Sequence, residues 1–204
     1  LIVVGWFGFN TSRSQDQILV LQQALSDLSV KDVSRRRFRV LEEDQSLKTL
    51  SQLNLTSSKE NGLPQWVLLC RDGRWVGYIT DQPLKDISAV HWDKYAVSEY
   101  KRPISDLPSI SEKTPLWKAV LKLENLKEKQ LLVFSFAGLP SGTLDKVDLA
   151  EAVLKKIGIN LPTSFLQLAR RNNIYPLGIS LFNIVERMID SGLIQKSDLD
   201  DSIK

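Results

Sequence analysis

The chain has 204 residues, 43% of them hydrophobic and 25% charged, with a formal net charge of +3. That balance describes a folded globule and excludes disorder, collagen and coiled coil as its overall state. It gives nucleic acid no electrostatic basis as a main partner. A single cysteine, Cys70, excludes an internal disulfide and any multi-cysteine zinc site; a single histidine, His91, excludes every site that needs two, H-E-x-x-H metalloprotease chemistry included.

The chain opens on Leu1, and its one methionine is Met188, so it reads as a piece of a longer protein. Leu1-Ile2-Val3-Val4-Gly5-Trp6-Phe7-Gly8-Phe9 carries no charge. As a helix those residues rise about 13 Å, short of the roughly 30 Å of a bilayer core. Residues 1–10 are therefore expected to be the end of a truncated transmembrane helix, the alternative being a buried strand or a packed tail. Residues 11–28 read as a polar connecting helix. Residues 1–40 hold six basic and three acidic side chains and account for the whole net charge. If a span precedes them, the positive-inside rule places this region on the cytoplasmic or stromal side of a membrane. Arg35-Arg36-Arg37 cannot share one face of a helix or strand and has no aromatic platform, so it reads as a solvated connector near lipid headgroups.

The middle of the chain repeats itself. Val30-Lys31-Asp32-Val33 is answered by Ile104-Ser105-Asp106-Leu107, and Ser46-Leu47-Lys48-Thr49-Leu50 by Pro115-Leu116-Trp117-Lys118-Ala119. Gly77-Tyr78-Ile79-Thr80 is answered by Gly142-Thr143-Leu144-Asp145. In the first copy, a short extended piece at Phe38–Leu41 precedes a helix capped by Ser46. Gln65–Cys70 is a continuous apolar strand, Asp72-Gly73 a hairpin turn, and Arg74–Thr80 the partner strand. In the second copy a helix starts at Pro115, Leu131–Phe136 is the strand, and a closing helix around Asp148–Leu154 stops at Gly158. Each copy is β-α-β-β-α. The fold class is α+β (mixed α/β), two such units with pseudo-twofold symmetry.

This order of elements, found twice, resembles a tandem pair of cystathionine-β-synthase (CBS) domains, with the first at 29–90, a linker at 91–102 and the second at 103–158. The apolar start, Gly5-Trp6-Phe7-Gly8-Phe9, the polar helix and the pair together resemble the C-terminal region of a site-2-type intramembrane zinc metalloprotease of the cyanobacterial and plastid kind. The resemblance implies a non-catalytic regulatory part, with zinc and active site held by the parent protein upstream. It also implies a homodimer through the CBS pair, and AMP, ADP, ATP or S-adenosylmethionine as ligand. In that family a carboxylate on the closing helix bonds the ribose hydroxyls, and a hydroxyl three residues earlier faces phosphate. Asp148 fills the ribose position of the second copy, but Asp145 stands where the hydroxyl belongs and would repel phosphate. Thr80 fills the phosphate position of the first copy, but Pro83 stands where the carboxylate belongs. Ile104, Leu107 and Val133 would line the adenine slot.

Each of these residues also has a plain structural reading. Asp148 suits a helix N-terminus, Thr80 a local strand-end bond, His91 a packed linker and Cys70 a core position. Beyond the pair, 159–204 is expected to be a helical extension. Its first helix starts at Pro162-Thr163-Ser164 and turns Phe165, Leu168 and Ala169 inward. A second helix carries Leu181, Ile184, Val185, Met188 and Ile189, and Gly192 ends it. The alternative to nucleotide sensing is a ligand-free module for dimerisation or assembly of a membrane protein.

Overall fold

The computed structural model describes residues 11–57, 66–126, 129–195 and 198. The expected transmembrane remnant at 1–10 lies outside them, and no helix among the described residues is long and apolar enough to cross a membrane. In chain order the elements are α1 (Thr11–Asp27), α2 (Val30–Val33), β1 (Arg39–Glu42), α3 (Leu47–Ser57), β2 (Val67–Arg71), β3 (Arg74–Ile79) and α4 (Gln82–Asp86). Then follow β4 (Ser109–Ser111), α5 (Leu116–Asn125), β5 (Gln130–Phe134), β6 (Pro140–Asp145), α6 (Lys146–Lys156), α7 (Thr163–Arg171) and α8 (Leu181–Asp190).

Two three-stranded sheets form, ordered β1-β2-β3 and β4-β5-β6, each with a parallel first pair and an antiparallel hairpin. The first hairpin turns at Asp72-Gly73, both at positive φ (48° and 74°), the primed turn that matches strand twist. A bulge interrupts β2–β3 between Leu69 and Cys70, and another interrupts β5–β6 between Val133 and Phe134. Side chains alternate across each sheet. Val40, Leu68 and Tyr78 from one sheet meet Leu132 and Phe134 from the other, with Phe38 and Leu107, in a seam between the sheets. The outer faces are covered by helices. Leu41, Val67, Leu69 and Ile79 pack on Leu47 and Leu50 of α3. Ile110, Leu131, Val133 and Leu144 pack on α5 and α6, which are backed in turn by Leu21 and Leu25 of α1 and Val185 and Met188 of α8.

The pseudo-twofold is written in backbone hydrogen bonds. The segment before each unit crosses to the other unit. Arg35 exchanges bonds with Thr143 at 3.0 and 2.8 Å, and Arg102 exchanges bonds with Tyr78 at 2.8 and 2.9 Å. Likewise Val30 N donates to Thr114 O and Leu116 N to Leu28 O, while Val97 N donates to Gln45 O and Leu47 N to Tyr95 O. These pairs make Val97-Ser98-Glu99-Tyr100 the counterpart of Val30-Lys31-Asp32-Val33. The sequence alignment with Ile104–Leu107 was therefore out of register. The stretch from Arg102 to β4 is three residues longer than that from Arg35 to β1.

Three smaller expectations change. On α7 the buried residues are Leu166, Ala169 and Arg170, whereas Phe165 and Leu168 are exposed. His91 is exposed, and it is Trp92 that packs, its Nε1 donating to Ile87 O at 2.9 Å. Gly192 ends α8 at positive φ, and Ile194 folds back, its N–H reaching Met188 O at 3.2 Å, while Leu193 stays exposed.

Candidate functional site

The second cleft is built where β6 runs into α6. Asp145 is the N-cap of α6 and Asp148 is its third residue. Asp148 N donates to Asp145 Oδ1 at 2.9 Å, and Asp145 N donates to Asp148 Oδ2 at 3.1 Å. This reciprocal box satisfies two orphan amides of the helix start. The remaining carboxylate oxygens face arginines. Arg37 Nη1 donates to Asp145 Oδ2 at 2.6 Å, and its Nη2 donates to Asp148 Oδ1. Arg170, on α7, donates from Nε to Asp145 Oδ2 at 2.6 Å and from Nη2 to Asp148 Oδ1 at 3.1 Å. Arg35 Nη2 reaches Glu151 Oε2 at 2.6 Å, with Nε 3.7 Å from Asp148 Oδ1. Three guanidinium groups thus face three carboxylates. Both aspartates and Arg170 are buried, and Arg37 nearly so.

The first cleft, at the end of β3, is emptier of charge partners. Thr80 Oγ1 accepts a local bond from Gln82 N at 3.4 Å. Asp81 is exposed and pairs with Lys85 at 2.9 Å; Pro83 is buried where a ribose-binding carboxylate would be needed. Lys101, the nearest lysine of the crossing segment, is held by buried Glu43 at 2.9 Å.

No protein-family model matches the chain, and no curated protein sequence is detectably similar to it. Solved structures are similar in shape. The CBS domain of the bacterial CNNM/CorC family Mg2+ transporter, solved with ATP, superposes with a TM-score of 0.51 at 16% identity, covering 69% of this chain and 97% of that one. Protein MJ1004 from Methanocaldococcus jannaschii gives 0.50 at 20% identity, covering 63% of this chain and 60% of that one. The fold is that of a CBS-domain pair.

Within the CBS pair, the six residues the sequence singled out do not converge on one site. Ile104 and Leu107 lie at the seam between the sheets. Val133 does not: it is fully buried on the helix-facing side, because its neighbours Leu132 and Phe134 take the seam face. Thr80 is in the first cleft, and Asp145 and Asp148 are in the second, already saturated by protein donors. The neighbouring Lys146 pairs with Glu124 at 2.8 Å. Cys70 is half-buried, its Sγ donating to Glu42 Oε1 at 3.2 Å, and burial first and that carboxylate second push its thiol up to about 11. It is not a nucleophile at neutral pH.

The residues that sequence reasoning missed are Arg35, Arg37 and Arg170. The triple arginine is more than a solvated connector, although Arg35 and Arg36 are exposed. On an extended segment, positions two apart share a face, so Arg35 and Arg37 both turn to α6, while Arg36 points away over the Phe38 ring at 5.3 Å. Arg170 carried a fainter signal, since it falls on the same helical face as Leu166.

The two aspartates titrate oppositely. Burial and then the Asp145 charge push Asp148 up to about 6. Burial also opposes ionisation of Asp145, but the Arg37 and Arg170 charges outweigh it and hold that carboxyl below its ordinary 3.8. A raised acid favours folding when protonated. The Asp148 contribution is therefore present below 3.8 and fades as pH rises through 6. The Asp145 contribution is present above 3.8 and fades as pH falls through its lowered value. Urea unfolding should show Asp148→Asn losing about 1 kcal/mol of the stability that the wild type gains between pH 7.5 and pH 5. A wild-type minus variant difference independent of pH over that range would refute the assignment.

Proposed function

We propose that this chain is a regulatory and assembly CBS-pair module of a larger, membrane-embedded protein of the site-2 zinc metalloprotease type, lying on the cytoplasmic or stromal side. Its second cleft is an ionic lock and binds no nucleotide. The observation that carries this reading is the saturation of Asp148. A ribose would have to displace both Arg37 and Arg170 from a buried carboxylate, leaving charges unpaired at a cost of several kcal/mol. The module is read as a non-catalytic part of that protein, in keeping with its CBS-pair fold. Zinc belongs to the parent's upstream membrane helices, and the pair works by holding two copies of the parent together.

A second reading, an adenosyl nucleotide at the first cleft, is favoured by the Thr80 hydroxyl at the end of β3. The ATP in the similar transporter CBS domain supports the same ligand class. Thermal unfolding with AMP, ADP, ATP and S-adenosylmethionine separates the two. The lock reading expects no saturable rise in Tm that depends on Asp148. Binding at 100 times Kd would raise stability by about 2.7 kcal/mol. Such a rise abolished by Asp148→Ala but not by Thr80→Ala defeats the lock reading; one abolished by Thr80→Ala alone establishes the second. Sedimentation of the chain as a monomer at micromolar concentration would count against the assembly role, and a parent gene without H-E-x-x-H upstream against the protease context.

A further inference from the structure

A cavity of about 440 Å3 lies away from both clefts, between the edge strand β4 and helix α5. Its polar lining is Ser109, Ser111, Thr114, Lys118, Lys122 and Ser135, and its apolar wall is Ile110 and Phe134. No carboxylate lines it. Lys118 and Lys122 are four apart on α5, so both stems leave one helix face, with the Lys118 ammonium 5.3 Å from the centre of the Trp117 ring. Both are half-buried, and no ion pair holds either one among the described residues. Neither nearby acid pairs with these lysines: Glu124 pairs with Lys146 at 2.8 Å, and Glu112 Oε1 accepts from Phe136 N at 2.8 Å.

The hydroxyls are arranged to give protons. Ser111 Oγ accepts from Lys113 N at 3.4 Å, and Ser135 Oγ accepts from Leu139 N at 3.3 Å. Each of those acceptor bonds leaves the O–H proton available as a donor. The cavity therefore offers two cations, several O–H donors and no anionic competitor, at a size suited to a small molecule.

We propose that this cavity binds a small phosphate-bearing anion. Phosphate oxygens would take the two ammonium groups and the hydroxyls as donors, the ammonium bonds being charge-assisted. This site is independent of the ribose and phosphate positions in the clefts.

The probe is pyrophosphate, titrated into the whole chain against sodium chloride of equal ionic strength and followed by amide shifts in 1H–15N spectra. The expected result is a saturable shift at Ser109, Ser111, Thr114 and Ser135, absent with chloride. In Lys118→Gln/Lys122→Gln, which keeps the packed stems, affinity should fall at least tenfold with Tm unchanged. A linear, unsaturable response, or equal affinity in that variant, overturns the proposal. Should the double variant not fold, Lys118→Gln and Lys122→Gln singly carry the same test. Failure here leaves the lock reading untouched, because Asp148→Ala should not alter pyrophosphate binding.

Discussion

Arg170→Ala is expected to lower the stability of this protein by about 3–5 kcal/mol, the cost of breaking a buried ion pair by removing one of its members. For a chain of this size that is a fall in Tm of about 10 °C. The reason lies in the accounting of donors. Asp145 and Asp148 already use two oxygens on the α6 amides, so Arg37 and Arg170 supply the rest. Removing Arg170 strips Asp145 of a bond at 2.6 Å in a place water does not reach. Arg170→Met restores the packing of the stem but not the charge, so it should be nearly as damaging as alanine. Arg35→Ala should cost less than about 1 kcal/mol, because that guanidinium is 49% exposed and its partner Glu151 keeps Lys155 at 2.9 Å. Differential scanning calorimetry of the three variants decides the matter. If Arg170→Met is as stable as wild type, the cluster is ornamental and the lock has no energetic basis.

The lock also changes what the C-terminal extension is for. Arg170 is the side chain through which α7 reaches the cleft, so the helical extension is keyed to the pair by charge as well as by Leu166 and Ala169 packing against Val147. Arg170 thereby takes up carboxylate oxygens of Asp145 and Asp148, the two residues that the CBS resemblance would assign to a ligand.

How far the fold could be read from sequence follows from which signals are local. Asp72-Gly73 announced its hairpin because a two-residue primed turn needs positive φ at both positions. Leu131–Val133 announced a strand by being continuously apolar, and that is also why it misled. In such a run alternation is invisible, so Val133 could be placed on the wrong face while Leu132 took the seam. The β-α-β-β-α order was legible twice because each element has its own caps and turns. The crossing segments were not, since Arg35 and Arg102 pair with strands more than twenty residues away and leave no periodicity. The site was half legible. Asp145 and Asp148 stood out by position, but their partners Arg37 and Arg170 are 108 and 25 residues from Asp145 along the chain, and nothing local ties them to it.

Gly77→Ala should be the most damaging alanine substitution among the described glycines. Gly77 sits at φ +155°, and a Cβ there would lie 2.4 Å from the carbonyl oxygen of Arg102. That oxygen is backbone, and it accepts the Tyr78 amide at 2.9 Å while Arg102 N returns a bond to Tyr78 O at 2.8 Å. The crossing segment cannot yield without giving up both bonds. Those are worth about 1 kcal/mol each, and the strained backbone adds about 1–3 kcal/mol. A total loss of about 3–5 kcal/mol follows, concentrated where the second unit hooks onto the first. The pseudo-twofold supplies the control. Gly142 is the matching residue, but its Cβ would stand 3.2 Å from Arg35 O, and its φ is not in the left-handed range. A few tenths of an ångström of movement accommodates it, so Gly142→Ala should cost about half as much or less. Chemical unfolding of the two variants side by side tests this asymmetry. Equal losses, or a larger one at Gly142, would mean that the two crossings are not held as the hydrogen bonds at Tyr78 and Thr143 require.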